Sequence, residues 1–483
     1  MSRNRRQSTT TETSWDSRLV FLLLGAMLLL APVVRGGNRE VALSALLAFG
    51  LALLAVLLAQ VFGRWSVRWV PLGAGATQDQ QGAVGQPVWW WAAVAVVATS
   101  PLWVGLLQLV PVPVEWWASL PGRDAYIPAM QAAGVAVPER LPLSLNPQAS
   151  WSALWSSVPL VAVFLVALRL PHAFIDKLIT VLLVAGLMQV VLSLFQFASG
   201  RQSPLYFGLP GNGFIGSFAN RNHLADFLAM MVPLWFYAWL RLQRMPDGHG
   251  LRGRAVRRPL WLFFGFSFLV VILSTQSRGG IMATTMVLLL SALLLGWVVH
   301  SKLARWQRWG LAGLFVLFVV LAVSLIDVQG LMNRVQHGRL QSDAEVRQTL
   351  ALATWDAARA FWPWGSGMGS FESVFPRFQP AFAPGYVNHA HNDYPQLLME
   401  MGAPALLLAG LLLVLVVRQL WILAKAWRSS KRLSSELAVR CFAGLGALAL
   451  LLHSWVEFNM HIPALAITAS FLVGVFLRPV SRD

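Results

Sequence analysis

The chain has 483 residues, 57% of them apolar and only 12% charged, with a mean hydropathy of +0.61 and a formal charge of +17. Its apolar stretches run for about 17 to 25 residues, the length that crosses a bilayer, and are too continuous for the alternating strands of a membrane barrel. An all-α polytopic membrane protein is expected; the composition leaves no soluble domain large enough for a nucleotide sugar, and the single cysteine, Cys441, excludes an internal disulfide and a cysteine-based metal site.

In chain order, residues 1–18 form a polar tail. The apolar segment after it lacks a small-residue cleavage site and is read as a retained first helix. About twelve spans follow from hydropathy: 19–34, 41–62, 88–110, 151–170, 174–197, 219–240, 260–275, 280–299, 310–326, 395–417, 437–456 and 462–477. The first nine occupy 19–326 and enclose an outer loop at 111–150; a large outer loop covers 327–394; the last three fill 395–478, before a short tail at 479–483. "MSRNRR", "RLQRMPDGHGLRGRAVRR", "HSKLARWQR" and "KAWRSSKR" fall on one face, which the positive-inside rule makes cytoplasmic, and both termini lie there. The charge surplus thus belongs beside anionic lipid headgroups, and no nucleic-acid partner is expected. All four lysines (Lys177, Lys302, Lys425 and Lys431) fall on the cytoplasmic face, which leaves the outer face with arginines alone. Two readings stand: the planar guanidinium fork reads phosphate, or the chain simply prefers arginine.

Loop 111–150 is rich in proline and tryptophan, as suits anchors at headgroup level. The larger loop opens with "NRVQHGRLQSDAEVRQTLALATWDAARAF", whose apolar spacing predicts one or two short amphipathic helices on the outer surface. It breaks at "WPWGSGMGSFE", where Gly365, Gly367 and Gly369 predict a close-approach loop. No strand precedes it and no helix-opening lysine follows, so it is a poor nucleotide fingerprint. No internal repeat is evident, which argues against an inverted-repeat transporter.

Four clusters carry chemistry. In "GSFANRNHLADF", Arg221 and His223 stand at a helix mouth with Asp226 about one turn inside; such residues face a cavity or a partner, and a snorkelling Arg221 paired with Asp226 is the plain alternative. In "STQSRGG", Arg278 precedes Gly279 and Gly280, which let a bulky group or another backbone come close; an interfacial anchor is the alternative. "YVNHAHNDYPQ" places His389, His391, Asn392, Asp393 and Tyr394 directly before an apolar run. In "HSWVEFNMHIP", His453 and Glu457 are four apart and are expected on one helix face, with His461 following. Zinc is disfavoured, because a helix would point His389 and His391 to different sides and no recognised ligand spacing is completed. No metal or other cofactor is expected.

An imidazole, with an unperturbed pKa of about 6.5, suits general-base work near neutral pH. Two arginines beside it could hold a diphosphate, each charge-assisted contact contributing roughly 1.5 to 3 kcal/mol, and could stabilise the departing charge without Mg²⁺. These parts describe transfer of a group from a lipid diphosphate to a hydroxyl.

As a set, "GSFANRNHLADFLAMMVPL", "STQSRGG", "WPWGSGMGSF", "HAHNDYPQLLMEMGAPALLL" and "HSWVEFNMHIPA" resemble the bacterial O-antigen ligase and polymerase superfamily, over about residues 140 to 475. The resemblance implies an inner-membrane glycosyltransferase of GT-C-like helical fold that takes glycan from undecaprenyl diphosphate at the periplasmic face. Ligases pass it to lipid A core, polymerases extend a glycan chain, and a related group modifies protein hydroxyls. The ligase pattern is His, then Asn, Ser or Gln, nine residues, then Gly with Gly, Thr or Tyr four further on; His391, Asn392 and Gly402 match, and Leu406 departs. Carried over by motif, His391 is the base, Arg221 and Arg278 hold the donor diphosphate, and His389 and Asn392 orient or bind beside them. Asp393, His223 and Asp226 are supporting residues. The implied mechanism is metal-independent and inverting. The implied partners are the undecaprenyl-diphosphate-linked glycan, a lipid A core or glycan acceptor, and membrane lipids. A flippase of the same lipid-linked glycan is the alternative from another class. It would need a charged site reachable from both sides, yet His172, His249 and His300 lie in unrelated loops.

Overall fold

The computed structural model describes residues 15–61, 86–209, 213–244, 254–298, 343–381, 385–429 and 434–479, with single positions 313, 316 and 320. Apart from those three positions, the expected span at 310–326 lies outside the described residues, as do the large loop up to residue 342 and most of both tails.

Apolar helices dominate. Seven are long and apolar enough to cross a membrane: α2 (Glu40–Val61), α7 (Pro147–Arg169), α8 (His172–Ser199), α9 (Arg221–Arg244), α11 (Arg278–Val298), α15 (Ala403–Ser429) and α16 (Ser435–His453). An eighth span is possible from α3 (Val88–Ala98) and α4 (Ser100–Gln108), which meet at a bend of 58°. The expected straight span over 88–110 is thus broken, with Pro101 in the first turn after the bend, where its missing N–H is tolerated. Three shorter apolar helices, α1 (Trp15–Leu30), α10 (Arg254–Ser274) and α17 (Pro463–Phe476), complete the bundle. The protein is therefore a multi-pass helical membrane protein, with seven or eight full-length spans among the described residues.

Local signals set the helix ends. Asn146 caps α7 by accepting from the Ala149 N–H at 3.0 Å, with Pro147 at the first helical position, and Ser434 caps α16 through the Leu437 N–H. The span expected at 395–417 begins later than its hydropathy suggests. Gly402 takes φ 66° and ends α14 (Asp393–Met401), and the membrane helix α15 starts at Ala403.

Two apolar cores form. The bundle core surrounds α9, which is buried almost end to end and packed by α8, α10, α11 and α16. The second core lies in an outer layer and joins Leu350, Ala357 and Phe361 to Phe371, Phe375, Ala390 and Met399. This layer contains α12 (Asp343–Ala360), the amphipathic helix expected in the large loop, and the short α13 (Phe371–Val374). Loop 111–150 adds α5 (Val114–Ser119), α6 (Tyr126–Ala132) and a two-stranded antiparallel ribbon, β1 (Pro111–Pro113) with β2 (Arg140–Pro142), that an all-α reading does not include.

The glycine loop is a packing device. A Cβ on Gly365 would meet the Glu400 carbonyl oxygen at 2.4 Å. Ser366 N–H donates to Met399 O at 2.9 Å, and Gly367 N–H to Glu400 O at 3.0 Å. The loop thereby fastens to the end of α14.

Candidate active site

Helix α16 ends at His453, and the chain turns through 454–458 before a short 3-10 turn at Asn459–His461. The expectation that His453 and Glu457 share a helix face is therefore overturned: the helix has stopped before Glu457, and the two side chains serve different partners. Glu457 is fully buried and takes donors from three separate segments. His391 Nδ1 lies 2.7 Å from Oε1, Arg347 of α12 donates to Oε2 at 2.7 Å, and Asn222 at the start of α9 donates to the same oxygen. Burial alone would raise the Glu457 pKa, but the hydrogen bond and charge of His391, with the charge of Arg347, hold it far below the carboxylate range.

An ionised carboxylate can only accept, so His391 Nδ1 carries a proton and donates it. Its Nε2 has no hydrogen-bond partner among the described residues, and the side chain is 22% exposed. In the neutral ring this arrangement fixes the tautomer and leaves the Nε2 lone pair free for a substrate proton. The backbone is committed too: His391 holds φ 52°, a left-handed conformation that costs a non-glycine residue roughly 1 to 2 kcal/mol. The surroundings hold it there. Ala390 is fully buried in the outer core on one side, and on the other Asn392 caps α14 by accepting from the Tyr394 N–H at 3.1 Å.

The histidines do not diverge as they would on a helix. Residues 386–390 are non-helical, and the rings of His389, His391 and His223 all pack on Phe458, with centroids 4.3, 5.1 and 4.9 Å away. Behind them runs a second network. Asp393, fully buried, accepts from His461 Nδ1 at 2.7 Å and from Met460 N–H at 2.8 Å, while its own N–H donates to Ser454 O at 3.0 Å. Burial opposes the His461 proton, but the Asp393 hydrogen bond and charge outweigh it and raise the pKa. Gln396 accepts from Ala390 N–H at 3.0 Å, and its amide nitrogen faces His389 Nδ1 and His461 Nε2, each at 3.2 Å, and Glu400 Oε1 at 3.3 Å. Burial pushes the Glu400 carboxyl upward, although Gly369 and Phe371 N–H groups donate to it at 2.8 and 3.3 Å.

Arg221 and Arg278 open α9 and α11, and both are exposed. Each stands next to a residue that meets the 453–458 turn: Asn222 through its bond to Glu457, and Gly279 by close packing, since a Cβ there would lie 2.6 Å from Val456 and 2.7 Å from His453. Each arginine is thus one residue away from a contact with the turn that carries Glu457.

Asp226 does not pair with Arg221. It lies fully buried in α9 with its Oδ1 3.4 Å from His453 Nδ1, and neither carboxylate oxygen has a hydrogen bond among the described residues. His223, also buried, packs on Phe458. Of the residues expected from sequence, His389, His391, Asn392 and Asp393 come together, and Asp226 lies behind them. Sequence reasoning missed Glu457 as the His391 partner, and missed Arg347, Gln396 and Phe458 altogether. A buried acid at the end of an apolar run was a signal for Glu457. Arg347, one arginine of several on an amphipathic helix, carried none.

Residues 262–410 match the family model described as O-antigen ligase, a match that supports membership of the O-antigen ligase and polymerase superfamily. The matched segment contains Arg278 and the 386–396 stretch, while Arg221 and Glu457 lie outside it. No curated protein and no solved structure matches the chain.

Proposed function

We propose that this protein is a glycosyltransferase of the O-antigen ligase kind that moves a glycan from undecaprenyl diphosphate to a hydroxyl of a lipid A core sugar, at the periplasmic face of the bacterial inner membrane. The observation that supports the reading is the 2.7 Å bond from His391 Nδ1 to the buried, ionised Glu457, which leaves Nε2 without a hydrogen-bond partner among the described residues. In the reaction, Nε2 takes the acceptor hydroxyl proton as that oxygen attacks the anomeric carbon. The bond from carbon to diphosphate oxygen breaks, and its electron pair leaves on the diphosphate. Arg221 and Arg278, permanently cationic and set at helix N-termini, are suited to the developing charge, so the step needs no metal ion. Attack opposite the leaving diphosphate inverts the anomeric centre.

A second reading is supported by one residue. Leu406 stands where the ligase pattern carries Gly, Thr or Tyr, which favours a polymerase that uses another lipid-linked glycan as acceptor. The test is incubation of the purified protein with undecaprenyl-diphosphate glycan, with and without lipid A core, followed by product mass. Capped core is the expected product; chain growth without core would turn the assignment to polymerase, and no transfer to either would reject both.

A further inference from the structure

His389 and His391 sit two residues apart on one aromatic ring, yet their Nδ1 atoms face opposite chemistry. His391 Nδ1 faces a carboxylate, which only accepts. His389 Nδ1 faces the Gln396 amide at 3.2 Å. The orientation of that amide is set by Ala390, whose buried N–H must give its proton to Gln396 Oε1, leaving the NH₂ toward His389. An NH₂ group only donates, and its two protons face three neighbours; Asp393 favours protonated His461, whose Nε2 is then a donor, so the two protons go to Glu400 Oε1 and His389 Nδ1, and the His389 ring proton sits on Nε2. Burial, reinforced by the positive charge His461 and His391 would carry, pushes the His389 pKa down to about 3. The ring is therefore neutral over the working range of any such enzyme. Its Nε2 has no hydrogen-bond partner among the described residues, and the side chain is only partly buried.

We propose that His389 is a binding residue for the acceptor saccharide: a neutral Nε2–H donor to a sugar oxygen, adjacent to the Nε2 lone pair of His391. A neutral donor suits an uncharged hydroxyl, whereas the diphosphate is better met by the permanently charged arginines. The adjacent histidines thus divide the work by tautomer, one accepting a proton and the other donating a hydrogen bond. The saccharide in this inference rests on the transfer reading above; the tautomer does not.

Two measurements test it. Imidazole ¹⁵N spectra of the full-length protein in lipid, with the His389 signals identified by their loss in His389→Gln, should show His389 neutral with the proton on Nε2 and His391 protonated on Nδ1. A His389 protonated on Nδ1, or doubly protonated at pH 7, overturns the proposal. In transfer assays His389→Ala should raise the acceptor KM about tenfold with the donor KM unchanged, the loss expected for one hydrogen bond. His389→Gln, whose amide nitrogen overlays Nε2, should stay within about threefold of the wild type, while His389→Asn should behave like alanine. Equal loss in His389→Gln and His389→Ala, an unchanged acceptor KM in His389→Ala, or a rise in donor KM instead, overturns it. If the wild-type protein transferred nothing, the transfer reading and the saccharide would fall together, while the spectra would still decide the donor assignment.

Discussion

Two histidine–carboxylate pairs lie near each other in this protein and are built differently. In His391–Glu457 the carboxylate is locked by Arg347, Asn222 and His391, and the outer ring nitrogen is open. In His453–Asp226 the groups approach only to 3.4 Å, the carboxylate has no hydrogen bond among the described residues, and both residues are buried. On the proposed reading of His391 as the base, proximity of an acid to a histidine is not enough. A base needs a carboxylate fixed by further donors, so that the tautomer is decided, and a free nitrogen that substrate can reach.

The comparison is open to attack in descending order of effect. His391→Ala should cut transfer about 10²- to 10⁴-fold in initial-rate assays while donor binding, measured by equilibrium titration, survives; full turnover would remove the base assignment. Glu457→Gln should lower turnover about 10²-fold or more, because an amide can donate to Nδ1 and drive the proton onto Nε2. Its stability has a signed pH dependence. Glu457 has a depressed folded pKa, so its contribution is fully present above the unfolded value of about 4.3 and is lost as pH falls toward the folded one. The difference in melting temperature between wild type and Glu457→Gln should therefore be constant from neutral pH to about 5 and shrink below it; a gap that widened with acid would contradict the ion pair.

Arg278→Ala should raise donor KM about tenfold to a hundredfold and leave acceptor KM alone, and an unchanged donor KM would return Arg278 to the role of an interfacial anchor. Asp226→Asn should change turnover by no more than about twofold, since its carboxylate touches no group of the His391 pair. A tenfold loss there would erase the distinction between the two pairs.

Much of the bundle is readable from hydropathy, because a lipid environment forces backbone hydrogen bonds inside each segment and so ties apolar length to helix. The breaks are less readable. The stretch after His453 has no glycine or proline before Pro463, so periodicity carries a helix through Glu457 where the chain turns. Gly402 is visible in the sequence, but the apolar residues on both sides conceal that it separates a short outer helix from a membrane one. His391 and the arginines stand out by residue type at a membrane border. Their partners do not, because Glu457 reaches His391 from 66 residues away and Arg347 reaches Glu457 from 110.

The separate apolar core of the outer layer bears on how activity is lost. Ala390 anchors the His391 loop in that core, Arg347 rides on a helix of the same layer, and Glu457 belongs to the turn at the end of the membrane bundle. The His391–Glu457 pair is therefore a joint across a seam, whole only while both sides are seated. Heat or denaturant that loosens the outer layer would silence the enzyme while the membrane helices still stand, so inactivation should run ahead of the loss of helical signal.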